Sequence, residues 1–373
     1  MGNHIIVRAL LLLLFVSCRA ISTINLLHYT RHEGTESDLR FGIHAVELEL
    51  GISVNYSLVN PREIFSPYGL DPSWAKTVMN QSGHKVEAWC RHNHIIVITD
   101  TIPDAIPFLL LTNDRLKKLS CHLMLQVTNR FNYGIKGRND QNDYYKLINS
   151  TLNQSNIHWL VNNPFDLLYI RSMGIPMDAV LRRPFGIAPN ISERQITLND
   201  SKLCAIITGL YHWNPPMPLE ISASYVSSHY GGPKTLAKYK CNIFFPYQVS
   251  IMKMMENVAA AVILLIPTPR FFEELILSGG QMTADIRSAV YGNFGIDYDW
   301  KQYVEFYNDE YKDFFYTFDS WEDLKNLTQK TSKELDCRNL KITLPLNAKI
   351  DQMKQLKIFV KSFNKLLSII EED

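Results

Sequence analysis

Just after its first apolar run the chain reads HYTRHEGTESD, residues 28 to 38, which places two imidazoles and several carboxylates within eleven residues. His28, His32 and Glu33 are candidate catalytic residues, with Asp38 also at hand, because each can take a proton from a hydroxyl group. Two other clusters suggest metals. Asp297 and Asp299 in GIDYDW have a spacing able to hold a divalent cation on a diphosphate, but no apolar strand precedes them. Cys90, His92 and His94 in CRHNH lack a second pair at ligand spacing, so no metal is expected there. The chain contains no Walker loop, Gly-x-Ser-x-Gly elbow or Rossmann glycine fingerprint.

Apolar runs alternate with amphipathic segments over about 165 residues. TINLLHY, ISVNYSLV, HIIVITD, HLMLQVT, IHWLVN and AVLRRP read as strands. SDLRFGIHAVELELG reads as a helix stopped by Gly51, and helices are also expected from Pro72 to Asn80 and in IPFLLLTNDRLKKL, NDYYKLINSTLNQ and PFDLLYIRSMG. The alternation predicts a parallel sheet covered on both faces, with a ligand crevice at the carboxyl ends of the strands. The residues predicted at that rim are His28, Tyr29 and Thr30, then Asp100, Thr101 and Asp104, then Asn129 and Arg130, then Asn162 and Asn163, and last Arg183 and Gly186. The same residue types also cap helices, so each cluster has a purely structural reading beside the functional one.

A second unit repeats the pattern. KLCAIITGL and EISASYV read as strands, and KTLAKYKCNIFFPYQVSIMKMMENVAAAVILLIPTPRFFEELI reads as helix, strand, turn, helix, strand, turn, helix. The polar RPFGIAPNISERQITLND is the best boundary. The predicted organisation is a signal peptide at 1–20, an acceptor-side Rossmann-like lobe at 21–192, a nucleotide-sugar lobe at 193–345 and an amphipathic helix at 346–373. Ile350, Met353, Leu356, Val360, Phe363, Leu367 and Ile370 form one stripe of that helix, expected to pack on the body. Its lysines also suit peripheral contact with a membrane.

With 38 basic and 37 acidic residues, the balance of charge argues against a nucleic-acid partner. Residues 1–20 carry Arg8, an apolar block and a small-residue ending, the pattern of a secretory signal. Sequons at Asn55, Asn80, Asn149, Asn153, Asn190, Asn199 and Asn326 agree with a glycoprotein of the secretory pathway. Beyond the signal lie Cys90, Cys121, Cys204, Cys241 and Cys337, enough for one or two bridges and a free thiol.

The stretch from YGGPKTLAKYKCNIFFPYQVS to MMENVAAAVILLIPTPRFFEEL resembles the donor-binding half of GT-B glycosyltransferases, in particular a fungal set of that class. TDTIPD, TNRF, NNPFD and RPFG correspond to the first half. The resemblance implies two facing Rossmann-type lobes with a C-terminal helix packing back, and hexosyl transfer from a sugar nucleotide to a hydroxyl of a glycan, lipid or protein without a cofactor. By its match to the family motif, Glu256 is implied to accept hydrogen bonds from the ribose hydroxyls, with Pro246, Tyr247, Ser250, Pro267 and Thr268 forming the donor pocket. Retaining members with a paired-glutamate motif have a second glutamate eight positions earlier, where this chain has Gln248. An amide lacks that charge, which argues against retaining chemistry of that type; an inverting route would need a base from the first-strand loop, and a glycosyltransferase-like binding protein without turnover is the alternative.

Overall fold

The computed structural model describes residues 22–61, 72–114, 121–129, 131–135, 137–187, 203–208, 217–227, 231–249, 251–278, 299–330, 334–335 and 337–372. The signal segment, Arg130, Asn190, Asn199, Ser250 and Asp297 lie outside the described residues.

Two all-parallel sheets carry the fold. The first contains β1 (Thr23–Tyr29), β2 (Ser53–Val59), β3 (Ile95–Asp100), β4 (His122–Val127), β5 (Ile157–Val161) and β6 (Val180–Leu181), in the order β2-β1-β3-β4-β5-β6. Its connections include α1 (Glu33–Leu50), α2 (Pro72–His92), α3 (Ile106–Asp114), α4 (Arg138–Asn149) and α5 (Pro164–Ser172). The second sheet runs β11 (Phe315–Phe318), β10 (Leu264–Pro267), β9 (Asn242–Ile243), β7 (Cys204–Thr208), β8 (Ala223–Ser227). It is accompanied by α6 (Pro233–Leu236), α7 (Met252–Ala259), α8 (Pro269–Leu277) and α9 (Trp321–Gln329), and the chain closes with α10 (Cys337–Glu372). Each sheet grows outward from its first strand in both directions, so each has a switch point, between β1 and β3 and between β7 and β9.

The continuous apolar strands follow from burial on both faces. Along β3, Ile95 and Val97 join the cluster under α1 and α10, while Ile96 and Ile98 join the cluster on the other face, and all four are fully buried. Each such side chain contributes about 1.5–3 kcal/mol by leaving water.

Five elements depart from the sequence expectation. Helix α1 begins four residues early because His32 caps it, accepting from the Gly34 N–H at 3.0 Å. Helix α2 continues to His92, well beyond the expected Asn80. Strand β11 and helix α9 were not foreseen, since FYTF is too short to show a period. Helix α10 starts at Cys337 and runs through Pro345, which reads in sequence as a stop.

The stripe on α10 is also corrected. Ile350 and Met353 are exposed, whereas Phe359 and Leu366, which lie off the stripe, are buried. The stripe repeats every 3.5 residues and a straight helix turns every 3.6, so the stripe slides round by about 20° per heptad. Its early members leave the core as the later ones enter it.

Cys204 and Cys241 form a disulfide joining the start of β7 to the residue before β9. Cys90 and Cys121 are buried free thiols, and hydrogen bonding to Cys90 together with burial holds the Cys121 pKa well above its ordinary value. The sequon residues Asn55, Asn80, Asn149, Asn153 and Asn326 are all exposed.

Candidate functional site

A cleft of about 470 Å³ opens between the carboxyl edge of the first sheet and the second unit. One wall is the start of α1, with Glu33, Gly34, Ser37 and Asp38; the floor is Pro184, Gly186 and Ile187; the other wall is Pro233, Met252 and Glu256. The segment after β6 approaches α7 so closely that a Cβ on Gly186, whose φ is +62°, would stand 3.0 Å from the Met255 carbonyl oxygen. Only glycine fits there without displacement.

The α1 wall is held by buried polar contacts at the β1/β3 switch point. His28 is fully buried, with Nδ1 2.8 Å from the Tyr56 hydroxyl and Nε2 2.9 Å from the Thr99 hydroxyl. Thr99 donates in turn to the Thr35 hydroxyl at 2.9 Å, on the first turn of α1. Burial, aided by Arg40, lowers the His28 pKa to about 3, so the ring stays neutral. It positions the wall and does not reach the cleft.

His32 is exposed, but its Nδ1 is occupied as the helix cap. In the neutral ring the proton therefore sits on Nε2, so Nε2 is the nitrogen with a hydrogen to donate while the cap is intact. Its ring lies within electrostatic reach of both Asp100 and Glu256. Of the three candidate catalytic residues, Glu33 is the one that is exposed, lines the cleft and is free to accept a proton.

Asp38 has other work. One of its oxygens accepts from Arg182 at 2.5 Å and the other from the Phe185 N–H at 2.7 Å. Arg182 is fully buried and lies over the Phe185 ring at 3.8 Å. This pair fastens α1 to the exit of β6 and shapes the cleft floor. Sequence reasoning missed Arg182, which follows the two exposed residues of β6, so no buried pattern in the sequence marks it.

Asp100 ends β3 with φ of +69°. That left-handed conformation costs a non-glycine residue about 1–2 kcal/mol, and such strain gathers at functional sites. Thr101 donates to its carboxylate at 3.2 Å, and burial raises its pKa against the pull of His32, Thr101, Asn129 and Arg31. Asn129 also accepts from Gln248 of the second unit at 3.3 Å, so the strained carboxylate is one residue removed from a contact between the lobes.

Four further rim residues make inward or interlobe contacts. Asp104 is buried in a two-bond pair with Arg31, both at 2.6 Å. Asn162 is fully buried and accepts from Gln126 at 3.4 Å. Asn163 caps α5 and reaches the Val249 carbonyl of the second unit at 3.3 Å. Arg183 lies over the Tyr311 ring at 3.8 Å, beside Glu305 at 4.0 Å.

On the facing wall Glu256 sits on α7 with the Lys253 ammonium 3.2 Å away. Burial raises its pKa, opposed by Lys253. The other described residues implied for the donor pocket do not line this cleft. Pro246 is buried in the turn after β9, Tyr247 packs near Phe244, the Pro267 carbonyl accepts from Tyr307, and Thr268 caps α8.

Asp299 caps the short turn beginning at Trp300, and His94 accepts from the Asn25 N–H. Among the described residues no group of three or more His, Cys, Asp or Glu is gathered for a metal. No family model matches the chain, and no curated protein matches it.

Proposed function

We propose that this chain is a GT-B-like glycosyltransferase that moves a hexosyl group from a sugar nucleotide to a hydroxyl acceptor in the secretory pathway. The observation that carries the reading is the cleft itself, where Glu256 on one lobe faces Glu33 at the switch-point edge of the other. The carboxylate of Glu256 offers two oxygens to a vicinal diol, with charge-assisted bonds worth roughly 1.5–3 kcal/mol each. An acceptor hydroxyl would lose its proton to Glu33 as its oxygen bonds the anomeric carbon, while the bond from that carbon to the diphosphate oxygen breaks and the nucleoside diphosphate departs. His32 would donate from Nε2 to the departing phosphate.

Calorimetric titration of the protein with UDP and GDP tests the donor wall. Glu256→Gln should weaken nucleotide binding slightly, and Glu256→Ala by about 2–4 kcal/mol, roughly 30-fold to 1000-fold, with the melting temperature little changed. Unaltered affinity in Glu256→Ala overturns the assignment. A second reading, a binding protein without turnover, is favoured by Gln248, whose amide is engaged by Asn129. Nucleotide binding with no hydrolysis across a panel of sugar nucleotides would select it.

A further inference from the structure

Helix α10 buries one apolar face and leaves a second one open. Phe359, Val360, Phe363, Leu366 and Leu367 pack into the cluster over the first sheet. On the outward side Ile342, Leu346, Ile350 and Met353 are 60%, 58%, 61% and 53% exposed. Single exposed apolar side chains are ordinary on a protein surface, but these four follow the i, i+4, i+8, i+11 spacing of one helix face. They form a ridge about 17 Å long.

The exposed charges that α10 itself sets around the ridge carry one sign. Lys349 lies beside it, and Lys357, Lys361 and Lys365 continue along the exposed side toward the C-terminus. Asp351 is the one acidic residue between Cys337 and Ile370, and it is turned inward, accepting from the Tyr311 hydroxyl at 2.7 Å. Lys354 is tied to Glu310, and Lys349, Lys357, Lys361 and Lys365 face outward. No helix among the described residues is long and apolar enough to cross a membrane.

We infer that the outward face of α10 is a membrane-docking surface for a bilayer containing anionic lipid, lying parallel to its plane with Ile342, Leu346, Ile350 and Met353 inserted and the lysines over the headgroups. A second protein would also bury the apolar ridge, but the unbroken run of exposed lysines beside it gives charge complementarity to an anionic surface. Ile350 and Met353 of the ridge are also the part of the heptad stripe that has rotated off the core, so the helix can hold the body and the bilayer at once.

Co-sedimentation of the full chain with vesicles tests this. Binding should be strong to vesicles containing phosphatidylserine, weak to phosphatidylcholine alone, and reduced by salt. Lys357→Gln with Lys361→Gln should lower partitioning by about fivefold per lysine. Leu346→Ser with Ile350→Ser should lower it by about tenfold or more, with the melting temperature unchanged because both side chains are already in water. The inference is overturned if the wild type ignores anionic vesicles or if the lysine variants bind as well as it does. Sedimentation velocity supplies the other overturning result, a wild-type dimer that the Leu346/Ile350 variant dissolves.

Discussion

The two sheets share a topology and differ in how each is pinned at its switch point. In the first, the amino ends of β1 and β3 are held by His94, whose ring accepts from the Asn25 N–H at 3.0 Å while its own N–H donates to the Asn25 carbonyl at 2.9 Å. In the second, the equivalent edge between β7 and β9 is held by the Cys204–Cys241 bond. The reason lies in strand length: β3 and β4 have six residues each, whereas β9 has two and β10 has four. Short strands bring few ladder bonds and little buried area, so a covalent tie compensates. The same fold can therefore be secured by hydrogen bonding where the sheet is long and by cross-linking where it is short.

The largest test of this contrast removes the tie. Cys204→Ser with Cys241→Ser, which reopens a sequence separation of 37, should cost on the order of 4 kcal/mol, localised by hydrogen exchange to β7–β10. His94→Ala should cost about 1 kcal/mol in the first sheet. Equal losses in the two lobes would dissolve the comparison.

Acidity separates the lobes next. The folded His28 pKa of about 3 lies below its ordinary 6.5, so its contribution is complete above pH 6.5 and is lost as pH falls toward 3. Glu305, before β11, is raised by burial to about 7 from 4.5, so its contribution is complete below pH 4.5 and is lost as pH rises toward 7. Between pH 4.5 and 6.5 the two slopes oppose each other, each at about 1.4 kcal/mol per pH unit. Denaturant titrations across that window should show stability rising with pH in Glu305→Gln relative to wild type, and falling with pH in His28→Gln. Parallel curves for the two variants would contradict the assigned shifts.

The smallest effect concerns strain. Each lobe holds one non-glycine residue at positive φ among those described, Asp100 at 69° and Ala261 at 60°. Asp100 stands at the carboxyl edge of its sheet, and Ala261 precedes β10 at the opposite edge. Ala261→Gly should stabilise by about 1 kcal/mol with full nucleotide binding. Asp100→Gly should be neutral to slightly stabilising and should impair turnover. Unimpaired turnover would make the strain at Asp100 as incidental as that at Ala261.

Much of the architecture was legible because buried parallel strands advertise themselves: HIIVITD and HLMLQVT have no other comfortable reading. The capping role of Asn163 was legible too, as one of two stated alternatives. The polar rim was harder. Asp104, Asn162 and His28 fall at the expected edge but turn inward, and inward orientation depends on partners such as Arg31, Gln126 and Thr99 that come from other strands and loops. Sequence spacing fixes the edge on which a residue falls and leaves its partner open. Gly186 illustrates the same limit, since what excludes a side chain there is the Met255 backbone, 69 positions further along the sequence.

The reach of α10 has a consequence for biosynthesis. This helix touches α1 near the beginning of the chain and α7 in the second unit, and its Gln355 accepts from the Arg183 N–H between them. On a ribosome the first lobe can collapse early, because its strands pair mostly with near neighbours in sequence. The face of its sheet that α10 covers must then stay open to water, or to a chaperone, until the 36 residues of that helix have emerged. A chain cut short before α10 would leave that face of the first sheet uncovered.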